Sequence, residues 1–132
     1  MKVAIFENEY DSVKIAFETA NLIYFNNIIT FKIFPSSQSA EGVALNKFDV
    51  IFIDIDLSSK SVNDGYSLIE YLVETYNLIH KKIVILTGNN KIREALTNRN
   101  IDASLFNLII KPTNFILIGD VIKKITGLPA TT

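Results

Sequence analysis

Five short apolar runs punctuate the chain, at residues 3–6, 29–34, 50–55, 83–86 and 105–110. Three of them contain VAIF, VIFI and IVIL, which are continuous rather than alternating. Continuous β-branched runs of this length predict strands buried on both faces, as in a parallel sheet. The second run, ITFKIF, alternates in part and predicts an edge strand. Between the runs the period changes to 3.6. Val13, Ala16, Phe17, Ala20, Ile23 and Tyr24 predict a helix with Asp11 or Ser12 as its N-cap. Leu68, Ile69, Leu72, Val73 and Tyr76 predict a second helix opening at Gly65. Ile92, Ala95 and Leu96 predict a short one over 90–98, with Asn89-Asn90 as its cap. Phe115, Ile118, Val121, Ile122 and Ile125 predict the last, closed by Gly127 with Pro129 beyond. Ala40, Val43 and Ala44 allow a further short helix over 39–46. The order is then (βα)5, an α/β domain with a parallel sheet and helices on both faces.

Composition narrows the class. At about 150 residues per domain, 132 residues make one domain, expected to span 1–127 with a C-terminal tail at 128–132. Lys plus Arg is 13 and Asp plus Glu is 14, so there is no basic excess for nucleic acid or an anionic membrane surface. Without Cys there is no disulfide framework or thiol chemistry, and the single His80 excludes a multi-histidine metal site. The N-terminus turns acidic by Glu7, unlike a secretory signal, and no apolar run approaches 18 residues. The expectation is a soluble cytoplasmic domain with neither nucleic acid nor membrane as its partner.

In open parallel α/β sheets, ligands bind outside the carboxyl ends of the strands. Glu7, Asn8 and Glu9 follow the first run, Asp54 and Asp56 end the third, Thr87-Gly88 follows the fourth, and Lys111-Pro112 follows the fifth. Carboxylates with one lysine suit a divalent cation plus a phosphoryl group: the metal offsets carboxylate repulsion and the lysine holds phosphoryl oxygens. Taken singly, each piece has a plainer reading. Thr87-Gly88 is a turn, Lys111 a solvated lysine, and Glu7 and Glu9 acids favouring a helix start. Asp64-Gly65 reads as a turn into a helix, without chemistry. Only the ordered set points to a site.

That set resembles the receiver domain of bacterial two-component response regulators. The matching segments are VAIFENE, FDVIFIDIDL, NDGYSLIEYL, IVILTG and NLIIKP. The resemblance implies a flavodoxin-like, doubly wound five-stranded sheet in the order 2-1-3-4-5. It implies that Asp54 accepts a phosphoryl group from a sensor histidine kinase or phosphotransfer protein, and that Glu7, Asn8, Asp54 and the main chain of Asp56 hold Mg²⁺. Thr87 and Lys111 would bind the phosphoryl oxygens, and the Lys111-Pro112 peptide would be cis. Such a domain is a phosphoacceptor, stand-alone or cut from a longer regulator. It is not an enzyme beyond its own phosphorylation and slow dephosphorylation.

Three departures bear on this expectation. Asn8 stands where the direct metal ligand is usually Asp. Losing a unit charge about 4 Å from a cation removes roughly 4 kcal/mol of attraction per unit metal charge before compensation, at an effective dielectric near 20. Mg²⁺ is therefore expected to bind weakly. The loop SSKSVNDG is longer than the usual one and lacks its proline. Leu108 stands at the aromatic switch position three residues before Lys111. Asn8 and Leu108 motivate a first alternative, a phosphorylation-independent interaction module. Asp54-Ile55-Asp56 motivates a second, a haloacid-dehalogenase-like phosphatase, although that chemistry needs later acids and only Asp120 follows Lys111. Signal output, or a homodimer contact, is expected on the face made by the 90–98 helix, the fifth strand and the last helix. There Phe115, Ile116, Leu117 and Ile118 cannot all share one buried stripe.

Overall fold

Each of the five runs forms a strand: β1 (Lys2–Phe6), β2 (Thr30–Phe34), β3 (Val50–Asp54), β4 (Ile83–Thr87) and β5 (Asn107–Ile110). All neighbours pair in parallel, in the order β2-β1-β3-β4-β5. The computed structural model describes residues 1–57 and 64–128. The continuous runs occupy the interior of the sheet, and β3 and β4 are buried at every position. The alternating run is the edge strand β2, with only Phe34 fully inside.

Among the described residues four α-helices cover the sheet: α1 (Lys14–Phe25), α2 (Gly65–Thr75), α3 (Ile92–Asn98) and α4 (Phe115–Thr126). Because strand side chains alternate, each interior strand feeds two cores. Val3, Ile5, Val50, Phe52, Val84 and Leu86 pack with Phe17 of α1 and Ile118 and Ile122 of α4. Ala4, Phe6, Ile51, Ile53, Ile83 and Ile85 pack with Leu68 and Leu72 of α2 and Leu96 of α3. α1 and α4 thus share one face, and α2 and α3 the other.

Several local expectations are corrected. The helix allowed at 39–46 does not form. Two 3-10 turns, Gln38–Ala40 and Leu45–Lys47, stand there instead, separated by Gly42 at φ +78°. A right-handed helix cannot pass through that dihedral, so the fifth helix of (βα)5 is missing. Neither Asp11 nor Ser12 caps α1: Tyr10–Ser12 form a 3-10 turn, and Ser12 Oγ donates to the Glu9 carbonyl. At α3, Asn89 Oδ1 accepts from the Lys91 amide, one residue short of the helix. β5 begins at Asn107 because Ala103–Leu105 close a 3-10 turn capped by Asp102. α4 ends as expected, at Gly127 with φ +71°. In its first turn Ile118 is buried, while Ile116 and Leu117 stay 48% and 45% exposed. Residues 58–63 of the loop singled out as long lie outside the described residues, as do the tail residues from 129 onward.

Candidate functional site

The period-2 alternation that builds the two cores also sorts the polar residues at the carboxyl edge. Asp54 continues the series Val50, Phe52, and Glu7 continues Val3, Ile5; both series face α1 and α4. Lys111 continues from Ile109 on the same face. The ladder holds these end positions in line, since the Glu7 amide donates to the Phe34 carbonyl and the Lys111 amide to the Thr87 carbonyl. Thr87 follows Ile83 and Ile85, which face α2 and α3. One edge therefore brings Glu7, Asp54 and Lys111 together and turns Thr87 the other way.

The contacts agree. Glu7 is 1% exposed, and its Oε2 accepts from Lys111 Nζ at 2.7 Å. Glu7 Oε1 accepts from the Glu9 amide at 3.2 Å. Asp54 is 5% exposed, with Oδ1 accepting from the Asp56 amide at 3.0 Å and Oδ2 lying 3.5 Å from Lys111 Nζ. Lys111 thus serves two buried carboxylates at once. Burial pushes the Glu7 carboxyl above its ordinary value, and the Asp54 charge adds to this against the opposing hydrogen bond from Lys111. Burial works against the Lys111 ammonium, but the hydrogen bond to Glu7 and the charges of Asp54 and Glu7 outweigh it and hold its pKa above the usual lysine range.

A cleft of about 290 Å³ opens over this group, lined by Glu7, Asn8, Asp54, Asp56, Gly88 and Lys111 among others. Asn8 and Asp56 are exposed at its rim. Thr87 does not line it: its side chain is fully buried, and Oγ1 accepts from the Asn89 amide at 3.0 Å. A larger cleft, about 740 Å³, includes Met1, Asp49, Lys81 and Lys82 in its lining, at the opposite edge of the sheet, away from these residues. Leu108 is half-buried against the α2–α3 core. The Lys111-Pro112 peptide is cis.

The side chains round the cleft that could hold a cation offer oxygen: the carboxylates of Glu7, Glu9, Asp54 and Asp56 and the Asn8 amide. That set fits a hard cation such as Mg²⁺. It is a lean set, because among the described residues no three acidic, histidine or cysteine side chains are grouped to hold a metal. Lys111 supplies part of the counter-charge a cation would bring.

Two features of the site carry no sequence-level signal beyond a turn or a surface helix. Gly65 opens α2 directly against the end of β3: its amide donates to the Ile55 carbonyl at 3.1 Å. A Cβ there would lie 2.5 Å from both the Asp54 carbonyl oxygen and the Ile55 Cα. The Asp-Gly pair before an apolar helix is the only trace of this in the sequence. The second feature is Arg99 at the end of α3, which reaches over the first turns of α2.

No protein-family model matches the chain, and no curated protein does. Solved structures do. NtrX from Brucella abortus aligns with a TM-score of 0.72 at 16% identity, over 96% of this chain and 26% of that one. The chain therefore spans about a quarter of that protein's length. The isolated receiver domain of the same NtrX aligns at 0.69 and 17% identity, over 95% of this chain and 98% of that one. A response regulator receiver domain protein from Clostridium thermocellum gives 0.69 and 15% identity, over 96% and 94%. With its strand order, its carboxyl-edge cleft and these neighbours, the chain has the fold of the response-regulator receiver domains.

Proposed function

We propose that this domain accepts a phosphoryl group on Asp54 from a phosphohistidine of a sensor kinase or phosphotransfer protein, and that it works in the cytoplasm. The observation that carries this reading is the position of Asp54. It is a nearly buried carboxylate ending the central strand β3, beside the point where strand order reverses between β1 and β3. Ligands of such sheets collect at that point. An Asp54 carboxylate oxygen attacks phosphorus as the phosphorus–nitrogen bond breaks; the departing nitrogen keeps the electron pair, and a proton from solvent leaves the imidazole neutral. Lys111 Nζ, between Asp54 and Glu7, is placed to pair with the incoming phosphoryl oxygens. Thr87 reaches them only by releasing the Asn89 amide and turning its hydroxyl inward. Mg²⁺ held by Glu7, Asn8, Asp54 and the Asp56 carbonyl would offset the negative charge gathered there. Output would leave by the α3–β5–α4 face, where Leu105, Ile110, Ile116 and Leu117 are exposed.

Incubation with acetyl phosphate and Mg²⁺ should add one phosphoryl mass to the protein and none to Asp54→Asn. An equal yield in the variant would move the acceptor elsewhere.

A phosphorylation-independent binding module is the second reading, favoured by Asn8 and by the 2.7 Å contact in which Lys111 already neutralises Glu7. Asn8→Asp separates the two. If the cation site operates, the added carboxylate tightens Mg²⁺ binding by about ten-fold, the fraction of the Coulomb gain that survives hydration. It also lowers the melting temperature in chelator, because it adds like charge beside Glu7 and Asp54. Titration giving equal affinities would place Asn8 outside the coordination sphere.

A further inference from the structure

The first turns of α2 touch the phosphoacceptor on one side and α3 on the other, and on that second side one charged side chain reaches across their surface. Arg99 is the residue on which α3 ends, and Asn100 follows in the left-handed region at φ 60°. From there its guanidinium spans α2. Nη1 lies 3.8 Å from Asp64 Oδ2 and Nη2 3.3 Å from Glu70 Oε1. Its Cζ sits 4.7 Å from the centroid of the Tyr66 ring. Asp64 is shared: its Oδ1 caps α2 by accepting from the Ser67 amide at 2.8 Å, while Oδ2 faces Arg99. Gly65, between Asp64 and Tyr66, is the residue pressed against the Asp54 and Ile55 backbone.

We infer that Arg99 is a positioning residue for phosphoryl acceptance: it clamps Asp64, Tyr66 and Glu70 and thereby holds Gly65 against the backbone of Asp54. The inference rests on the reading of Asp54 as the phosphoacceptor. Each contact is modest, since the partners are about half exposed and exposed ion pairs are weak. What distinguishes the cluster is that a planar guanidinium uses its fork and its face together, which an ammonium cannot do. The contact also joins the C-terminal end of α3, a helix of seven residues, to the site. Displacing α3 would then loosen the α2 turn, and the Asp54 backbone with it.

Arg99→Met keeps the length of the side chain and removes the fork. In the unmodified protein, amide hydrogen exchange at 54–57 and 65–68 is expected to speed up about five-fold, with β1 and α4 unchanged. With acetyl phosphate and Mg²⁺, the initial rate of phosphorylation should fall by a similar factor well below the melting temperature, which a purely structural role would leave alone. Unchanged exchange in those two segments, a uniform rise across the chain, or an unaltered phosphorylation rate would each overturn the assignment. If the wild type takes no phosphoryl group, the reading of Asp54 fails instead, and the exchange measurement still decides whether Arg99 holds the turn.

Discussion

Lys111→Met is expected to destabilise the metal-free protein by about 3 kcal/mol at neutral pH, the low end of the range for unpairing a buried charge. The low end applies because the Lys111 side chain keeps 24% exposure, so water screens part of the interaction. The loss should depend on pH in a defined sense. Glu7 already titrates above its ordinary 4.5 through burial and the Asp54 charge, and losing Lys111 moves it further up. A carboxyl raised in the folded state favours folding most below its unfolded value, and that advantage disappears as pH rises through the folded value. The difference between variant and wild type should therefore be small near pH 4 and grow toward pH 8. Lys111 itself, raised from 10.5 by its carboxylate partners, stays charged throughout this window, so the pH dependence comes from Glu7. Denaturant titrations in chelator across pH 4–9 measure the difference. A gap that does not vary with pH would mean that Glu7 does not depend on Lys111.

Gly65→Ala should cost about 3 kcal/mol, the upper part of the overpacking range, because the new methyl meets backbone rather than a movable side chain. Its nearest neighbours would be the Asp54 carbonyl oxygen and the Ile55 Cα, both at 2.5 Å. To make room, α2 must move or the end of β3 must bend. Phosphorylation by acetyl phosphate should therefore slow even at temperatures where the variant is folded. Gly42→Ala is the contrasting control. There the space is open but φ is +78°, so a cost of about 1 kcal/mol comes from the dihedral alone, without effect at Asp54. A Gly65→Ala variant within about 0.5 kcal/mol of the wild type would show that α2 does not bear on the end of β3.

Strand identity, the parallel sheet and the carboxyl-edge grouping were legible along the chain because they are local or periodic properties. A strand buried on both faces must be continuously apolar, and the edge strand β2 betrays itself by alternating. Period 2 then dictates which face each end residue meets, so Glu7, Asp54 and Lys111 could be expected on one edge before any contact was known. The strand order came only with the resemblance to receiver domains, since periodicity is silent about which strands are neighbours. The segment 39–46 shows the opposite limit. Its apolar spacing fits a helix, but the dihedral at Gly42 breaks it into two 3-10 turns. Tertiary structure alone decided the rest. It paired Lys111 with Glu7 more closely than with Asp54, gave the Thr87 hydroxyl to Asn89, pressed Gly65 onto the backbone of Asp54 and Ile55 and laid Arg99 across α2. The Lys111–Glu7 and Arg99–Glu70 pairs join residues 104 and 29 positions apart. Which of several available partners such a side chain takes is set by the distances and burial that packing creates, and no periodicity in a sequence encodes those.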